Sequence, residues 1–122
     1  MALKTFEYEN CLDRKYDDND QIIYSVMFDI SRYGQYRHII RFENPVTEQY
    51  AIEKVESYLS EPLTPNHLEK IRDDLFAPIQ KYSFDELQEK EGYTIQGDCL
   101  SDCKFLERCN INNGMLVLSC GS

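Results

Sequence analysis

The densest group of reactive side chains lies in the stretch GDCLSDCKFLERC, residues 97 to 109, which holds three of the five cysteines. A fourth, Cys120, comes close to the end of the sequence. Cysteine thiolates bind zinc, exchange disulfides or attack electrophiles. The four residues Cys99, Cys103, Cys109 and Cys120 are therefore the first candidate site, and zinc is the cofactor to test there.

A hairpin count places two of these cysteines on one face. If Asn113-Gly114 forms a two-residue turn, Cys109 pairs with Leu118 and Glu107 pairs with Cys120. Cys109 and Cys120 then become diagonal neighbours about 7–8 Å apart between Cα atoms. This distance is too long for an unstrained disulfide, but a metal ion or a small shift of the strands bridges it.

The spacing of the cysteines argues against both metal and redox motifs. It lacks the repeated C-x2-C pair of most structural zinc sites, and the Cys99–Cys103 pair has one residue too many for a thioredoxin-type motif. Asp98 and Asp102 would raise thiol pKa values rather than lower them. We favour structural thiols and keep a four-cysteine zinc site and a disulfide or redox role as alternatives.

Other catalytic patterns are missing from the sequence. The five glycines are scattered through turns, which argues against a glycine-rich phosphate loop. His38 is expected to be packed and hydrogen-bonded, His67 to be exposed, and neither has the local signature of a Cys–His pair. Asp73 and Asp74 diverge by about 100° on a helix, which is typical of a solvated acidic face. We expect no enzyme activity and no cofactor, and keep an unrecognised carboxylate site as an alternative.

The charge of the chain argues against generic nucleic-acid binding. Of its 122 residues, 22 are acidic and 13 basic, which gives a formal charge of −9. Such a field repels phosphate backbones. A cluster of Arg and Tyr residues around one turn is a basic patch in this acidic sequence. We interpret it as the end of a hairpin that contacts protein. Its candidate interface residues are Tyr33, Tyr36, Arg37 and Arg41.

Aromatic composition also favours protein contacts, with nine Tyr, six Phe and no Trp. No apolar run reaches the length of a membrane span, and the first residues lack the apolar core of a signal peptide. The sequence therefore predicts a protein with no membrane segment, not secreted by a signal of its own, in a reducing compartment.

Periodicity predicts strands on both sides of a helical segment. The first predicted elements are a strand over 1–12 and a charged loop over 13–20. Two further strands follow, at 21–30 and 36–43. A short strand at 93–96 and a hairpin of 103–112 with 115–120 follow the helices. The predicted core-facing positions of strands 21–30 and 36–43 are Ile22, Tyr24, Val26, Phe28, Ile30, Tyr36, His38, Ile40 and Phe42.

The predicted helices are marked by capping residues. Asn44 or Thr47 caps a helix that ends near Ser60, and Thr64-Pro65 begins a second helix that stops before Pro78. A capping box at 83–86 begins a third, which runs to about residue 90. This order predicts one α+β domain over 1–122: an antiparallel sheet with two to three helices on one face and a C-terminal β-hairpin.

Two stretches together resemble a known group of proteins: FENPVTEQYAIEKVESYLSEPLTPNHLEKIRDDLF (42–76) and GDCLSDCKFLER…NNGMLVLSCGS (97–122). They are similar to small uncharacterised proteins encoded by large nucleocytoplasmic DNA viruses of algae and protists. The resemblance implies a viral product made in host cytoplasm and packaged in the virion. It implies capsid or other viral proteins as partners, and it transfers no catalytic residue.

The interpretation that fits these observations is a non-enzymatic interaction protein. It would bind protein through a sheet edge and the Arg/Tyr turn, as a minor virion component and as a homo-oligomer. The alternatives are the cysteine-based zinc module and the small carboxylate enzyme.

Overall fold

The computed structural model describes residues 22–101, 103 and 105–121 of the chain. The strand predicted over 1–12 and the charged loop over 13–20 lie outside these residues. The described strands are β1 (Ile23–Asp29), β2 (Arg37–Val46), β3 (Phe105–Asn112) and β4 (Met115–Gly121). The α-helices are α1 (Glu48–Leu59), α2 (Pro65–Ile71) and α3 (Phe84–Glu91).

The four strands form one sheet in the order β2-β1-β4-β3. The outer pairs β1/β2 and β3/β4 are antiparallel, as expected, but the central pair β1/β4 is parallel. Parallel neighbours need a long crossover, and the helical segment between β2 and β3 supplies it. The α+β class and the C-terminal hairpin are confirmed, and the sheet is mixed rather than purely antiparallel.

Side-chain caps begin all three helices. Thr47, not Asn44, caps α1 by accepting from the amide of Tyr50, because β2 continues through Pro45 to Val46. Thr64 caps α2, and Ser83 opens α3 with a full capping box. Gly92 ends α3 with φ of 71°, a left-handed conformation that glycine adopts without steric cost.

The core lies between the helices and the sheet. Val26, Phe28 and Ile30 are buried as predicted, but Ile22 and Tyr24 are exposed and Ile23 is buried in their place. The cause is a register shift in the β1/β2 ladder between Ile23 and Ser25, which reverses the alternation at the start of β1. The helices contribute the following buried residues to this core: Ala51, Ile52, Val55, Leu59, Leu68, Ile71 and Leu87.

The C-terminal hairpin follows the predicted register over its first half. Asn112 pairs with Met115 and Cys109 with Leu118, around the Asn113-Gly114 turn. Beyond Cys109 a bulge intervenes, so Cys120 pairs with Leu106 instead of Glu107. The extra residue allows both Leu106 and Cys109 to be buried although they are three positions apart.

The segment before β3 is a 3-10 helix, Gln96–Leu100, rather than the short strand predicted at 93–96. One isolated bridge, between Pro62 and Ile95, is what remains of strand pairing there. Asp98 stabilises the turn by accepting from the amides of Thr94 and Ile95 at 2.9 and 3.2 Å. No helix among the described residues is long and apolar enough to cross a membrane.

Candidate protein-binding edge

Strand β2 is an edge of the sheet, with no further strand beyond it in the part of the chain that the structure describes. The amide of Ile30 donates to the Tyr36 carbonyl at 3.1 Å, which fixes the phase of the ladder. Because bonding alternates along an antiparallel pair, His38 and Ile40 turn their backbone groups toward β1. Ile39 and its neighbours at odd positions turn theirs outward.

The outward backbone groups are a ready template for another strand. Arg37, Ile39 and Arg41 are the outward positions in the regular part of the ladder. Exposed strand edges pair with other chains unless something blocks them. Pro45 has no N–H to donate, so it limits such pairing at the far end of β2.

The turn between β1 and β2 is anchored from below by Asp74. This carboxylate is only 4% exposed. Its Oδ2 accepts from the Ser31 hydroxyl and from the amides of Tyr33 and Gln35, the last two at 3.2 Å. Gly34 permits the tight chain path with φ of +73°. The prediction of a solvated Asp74 was wrong, because the turn folds over it.

An exposed aromatic cluster caps this turn. The guanidinium of Arg32 lies 5.1 Å from the ring centre of Tyr33 and 4.9 Å from that of Phe76. Both rings remain well exposed, at 61% for Tyr33 and 43% for Phe76. Aromatic and arginine side chains held in this way are enriched in protein interfaces.

The four predicted interface residues lie on this turn and the first half of β2. Tyr33 and Arg41 are exposed, as an interface requires. Tyr36 is half-buried and donates its hydroxyl to Asp73 at 2.7 Å, a bond that raises the pKa of Tyr36. Arg37 binds Asp29 at 3.0 Å. Tyr36 and Arg37 therefore help to fix the turn, and Tyr33 and Arg41 are the more available pair.

Two surface grooves flank this edge. One, of about 490 Å³, is polar and lined by Tyr36, Glu69, Lys70, Arg72, Asp73 and Gln80. The other, of about 370 Å³, is formed by Pro45, Val46, Thr47 and Tyr50 at the far end of β2. In the first groove the hydrogen bond from Arg72 lowers the pKa of Glu69, whereas a general acid needs a raised one.

The cysteines occupy different surroundings. Cys99 is buried, and burial, with Asp98 nearby, raises the pKa of its thiol to about 12. Cys109 is disulfide-bonded, so the favoured structural thiol was wrong at this position, and its Sγ lies 2.9 Å from Glu48 Oε1. Cys103 and Cys120 carry half-buried thiols.

These states bear on the zinc prediction. No group of three or more His, Cys, Asp or Glu side chains within 22–101, 103 and 105–121 is arranged to hold a metal ion. A tetracysteine site would need the Cys109 disulfide reduced, because zinc binds thiolates. Zinc at Cys99, Cys103, Cys109 and Cys120 stays a prediction.

Both histidines pack against Tyr58, on the helical side of the sheet. His38 stacks on the Tyr58 ring at 4.3 Å between centres, and His67 lies 6.3 Å away on α2. His67 is buried rather than exposed, and its Nε2 has no hydrogen-bond partner among the residues that the structure describes. Its position four residues before Ile71 places it beside the apolar stripe of α2, a sequence signal that would have predicted burial.

We expect His67 to make stability depend on pH. Burial, with Lys70 and His38 nearby, lowers its pKa from 6.5 to about 4. As the pH falls, the unfolded chain binds a proton at His67 before the folded protein does. The contribution of this histidine to the free energy of unfolding is therefore fully present above pH 6.5 and is lost as the pH drops toward 4. After allowance for solvent screening, the loss is about 2 kcal/mol.

Urea unfolding of the parent and His67→Leu between pH 7 and 4.5 measures this loss. The variant keeps the Thr64 cap, which uses the residue 67 amide. As the pH falls, we expect the parent to lose about 2 kcal/mol of unfolding free energy relative to His67→Leu. Parallel curves for the two proteins would contradict the assignment.

No protein-family model, curated protein or solved structure matches the chain.

Proposed function

We propose that this chain is a non-enzymatic protein-binding module that accepts a strand of another protein chain at the outer edge of β2. The observation that supports this most is the row of outward backbone groups at Arg37, Ile39 and Arg41. Strand addition at such an edge obtains its affinity from main-chain hydrogen bonds and its specificity from alternate side chains.

The surroundings of this edge favour a partner over solvent. Arg41 is an exposed cation on this edge, beside the Arg37–Asp29 ion pair, in a chain of formal charge −9. The cluster of Arg32, Tyr33 and Phe76 adds exposed aromatic area beside the strand. Charged side chains at such a contact fix the register and the choice of partner.

The resemblance to proteins of large DNA viruses supplies the biological setting of the proposal. In that setting the chain is made in host cytoplasm, the strand it accepts belongs to a viral protein, and the complex enters the virion. Mass spectrometry of purified virions tests this part: peptides of the chain at a fixed ratio to capsid protein support it. Absence of these peptides from purified virions would contradict packaging in the virion. It would not bear on the docking of a strand at β2.

A proline at position 39 tests the edge itself. The Ile39 amide points away from β1, so Ile39→Pro removes an outward donor without breaking the β1 ladder. Ile39→Thr is the matched control, since it keeps the N–H and a β-branched side chain. Circular dichroism spectra should match for all three proteins.

The readout is binding by the tagged chain in cells that produce it. We expect every protein that the parent and Ile39→Thr retain through this edge to be lost with Ile39→Pro, at least tenfold in recovered amount. Equal recovery by Ile39→Pro and Ile39→Thr would contradict docking at β2, as would a parent chain that binds no protein at all.

A further inference from the structure

We infer, resting on the proposed function above, that the strand docking on β2 is β2 of a second copy of this chain, antiparallel and centred on Ile40. The result is a twofold-symmetric dimer with one continuous sheet through both copies. Backbone direction limits the possible registers, and charge and apolar surface favour one of them.

Backbone direction limits the possible registers. Hydrogen-bonded pairs between two antiparallel edges must join outward residues to outward residues. These are Arg37, Ile39 and Arg41. Glu43 follows where the β1/β2 register shifts, and its exposed side chain continues the alternation beyond the half-buried Phe42. A self-pairing of β2 therefore places these odd-numbered residues opposite one another.

Charge selects among these registers. Centring the pair on Ile39 sets Arg37 opposite Arg41 of the second copy, and centring it on Arg41 sets two Arg41 side chains opposite each other. Directly opposed like charges are destabilising. Centring on Ile40 instead sets Arg37 opposite Glu43 at both ends and Arg41 opposite Ile39.

The two next registers lose backbone hydrogen bonds. Centring on Phe42 sets Ile39 opposite Pro45, which has no N–H. Centring on His38 sets Arg41 opposite Gln35, whose amide already donates to Asp74 at 3.2 Å. The register centred on Ile40 pairs the outward groups of Ile39 and Arg41, sets Glu43 level with Arg37 and opposes no like charges.

The helical face of β2 gains apolar contact in the same register. His38, Ile40 and Phe42 are half-buried in the single chain. Ile40 comes opposite Ile40 of the second copy in a non-hydrogen-bonded pair, where side chains lie closest. His38 comes opposite Phe42, so an imidazole and an aromatic ring become neighbours twice.

The net negative charge of the chain opposes this dimer, but most of that charge lies outside the contact. Two chains of charge −9 repel each other, and salt screens that repulsion over about 8–10 Å. At the contact itself each copy presents Arg37 and Arg41 against Glu43. We therefore expect the dimer to strengthen with moderate salt until the Arg37–Glu43 pairs are screened.

A charge reversal at position 43 tests the register. Glu43→Lys sets lysine opposite Arg37 at both ends, whereas Glu89→Lys makes the same change on the exposed side of α3. In sedimentation equilibrium we expect the parent and Glu89→Lys to dimerise alike. Glu43→Lys should dimerise about 10- to 100-fold more weakly, from two pairs that change from attractive to repulsive.

A cysteine cross-link tests the position of the axis. Residues directly opposite in a non-hydrogen-bonded pair have Cα atoms close enough for a disulfide. Ile40→Cys should therefore form a covalent dimer under mild oxidation. His38→Cys should not, because its two copies lie about 13 Å apart along the strands. The parent, with its native cysteines, is the blank.

The outcomes separate this inference from the proposed function. Dimerisation that Glu43→Lys weakens, with cross-linking only at position 40, supports the inference. A parent that stays monomeric at millimolar concentration overturns it, while binding lost with Ile39→Pro would still uphold the proposed function. A dimer as stable in Glu43→Lys and Ile39→Pro as in the parent overturns this inference, and the binding comparison of Ile39→Pro with Ile39→Thr still decides the proposed function.

Discussion

Asp74→Ala is expected to lower the free energy of unfolding by about 3–5 kcal/mol. The Asp74 carboxylate accepts from the Ser31 hydroxyl and from the amides of Tyr33 and Gln35. Alanine would leave all three donors without this acceptor, and the Ser31 hydroxyl among them belongs to a residue that is only 1% exposed. Since the Ser31 hydroxyl also accepts from the Tyr36 amide at 3.2 Å, the whole turn would lose its anchor.

The adjacent residue provides the control. Asp73 is exposed and accepts from the Tyr36 hydroxyl at 2.7 Å at the surface, so Asp73→Ala should cost less than about 1 kcal/mol. Both variants lose one negative charge, so the effect of the net charge is the same in both and cancels when their unfolding free energies are compared. Urea unfolding followed by circular dichroism measures the two costs, and equal costs would contradict an anchoring role for Asp74.

This anchor also matters for binding. Asp74 holds the turn that carries Tyr33 and Arg32, and that turn leads directly into β2. In Asp74→Ala we therefore expect weaker association than in the parent even where the sheet remains folded. Association unchanged in Asp74→Ala would place the binding surface away from the turn.

Phe28→Ala is expected to cost about 3–5 kcal/mol. Phe28 is fully buried in β1, between its neighbours β2 and β4, where it pairs with His38 and with Leu118. Its ring meets the rings of His38 and Tyr58 edge-on at 5.7 and 5.3 Å between centres. Truncation leaves a cavity where β2, β4 and α1 meet.

Met27→Ala, on the other face of β1, is the comparison. Met27 is only half-buried, and its truncation should cost about 1 kcal/mol. Thermal unfolding of both variants at pH 7 gives the two values. A Phe28→Ala cost close to that of Met27→Ala would mean that the helices do not close over this part of the sheet.

Local signals predicted the elements of this fold well. Thr64, Ser83 and Gly92 act through hydrogen bonds or backbone angles within a few residues, so their roles are visible in the sequence. The same holds for Asn113-Gly114, which set the hairpin register as far as Cys109. These features depend on neighbours along the chain and on nothing distant.

Features that depend on distant partners were missed. The bulge that sets Leu106 opposite Cys120 and the shift near Ile23 arise where strands adapt to the core beneath them. The parallel β1/β4 pair depends on where the helical crossover returns the chain. Single-sequence periodicity carries no information on any of these.

The candidate edge was predicted in part. The Arg/Tyr stretch indicated a surface turn, and Tyr33 and Arg41 are exposed there. Burial of Asp74 beneath that turn, 43 positions after Ser31, has no sequence signal, since its partners include backbone amides. The outward direction of Ile39 likewise follows from one hydrogen bond of the ladder, from Ile30 to Tyr36.

Amide hydrogen exchange along β2, followed by NMR, tests the dimer edge most directly. His38 and Ile40 bond to β1, so their amides should be protected at every protein concentration. The amides of Ile39 and Arg41 should become protected in the concentrated parent and exchange rapidly in Glu43→Lys. Rapid exchange of these two amides in the concentrated parent would contradict docking of a second copy at β2.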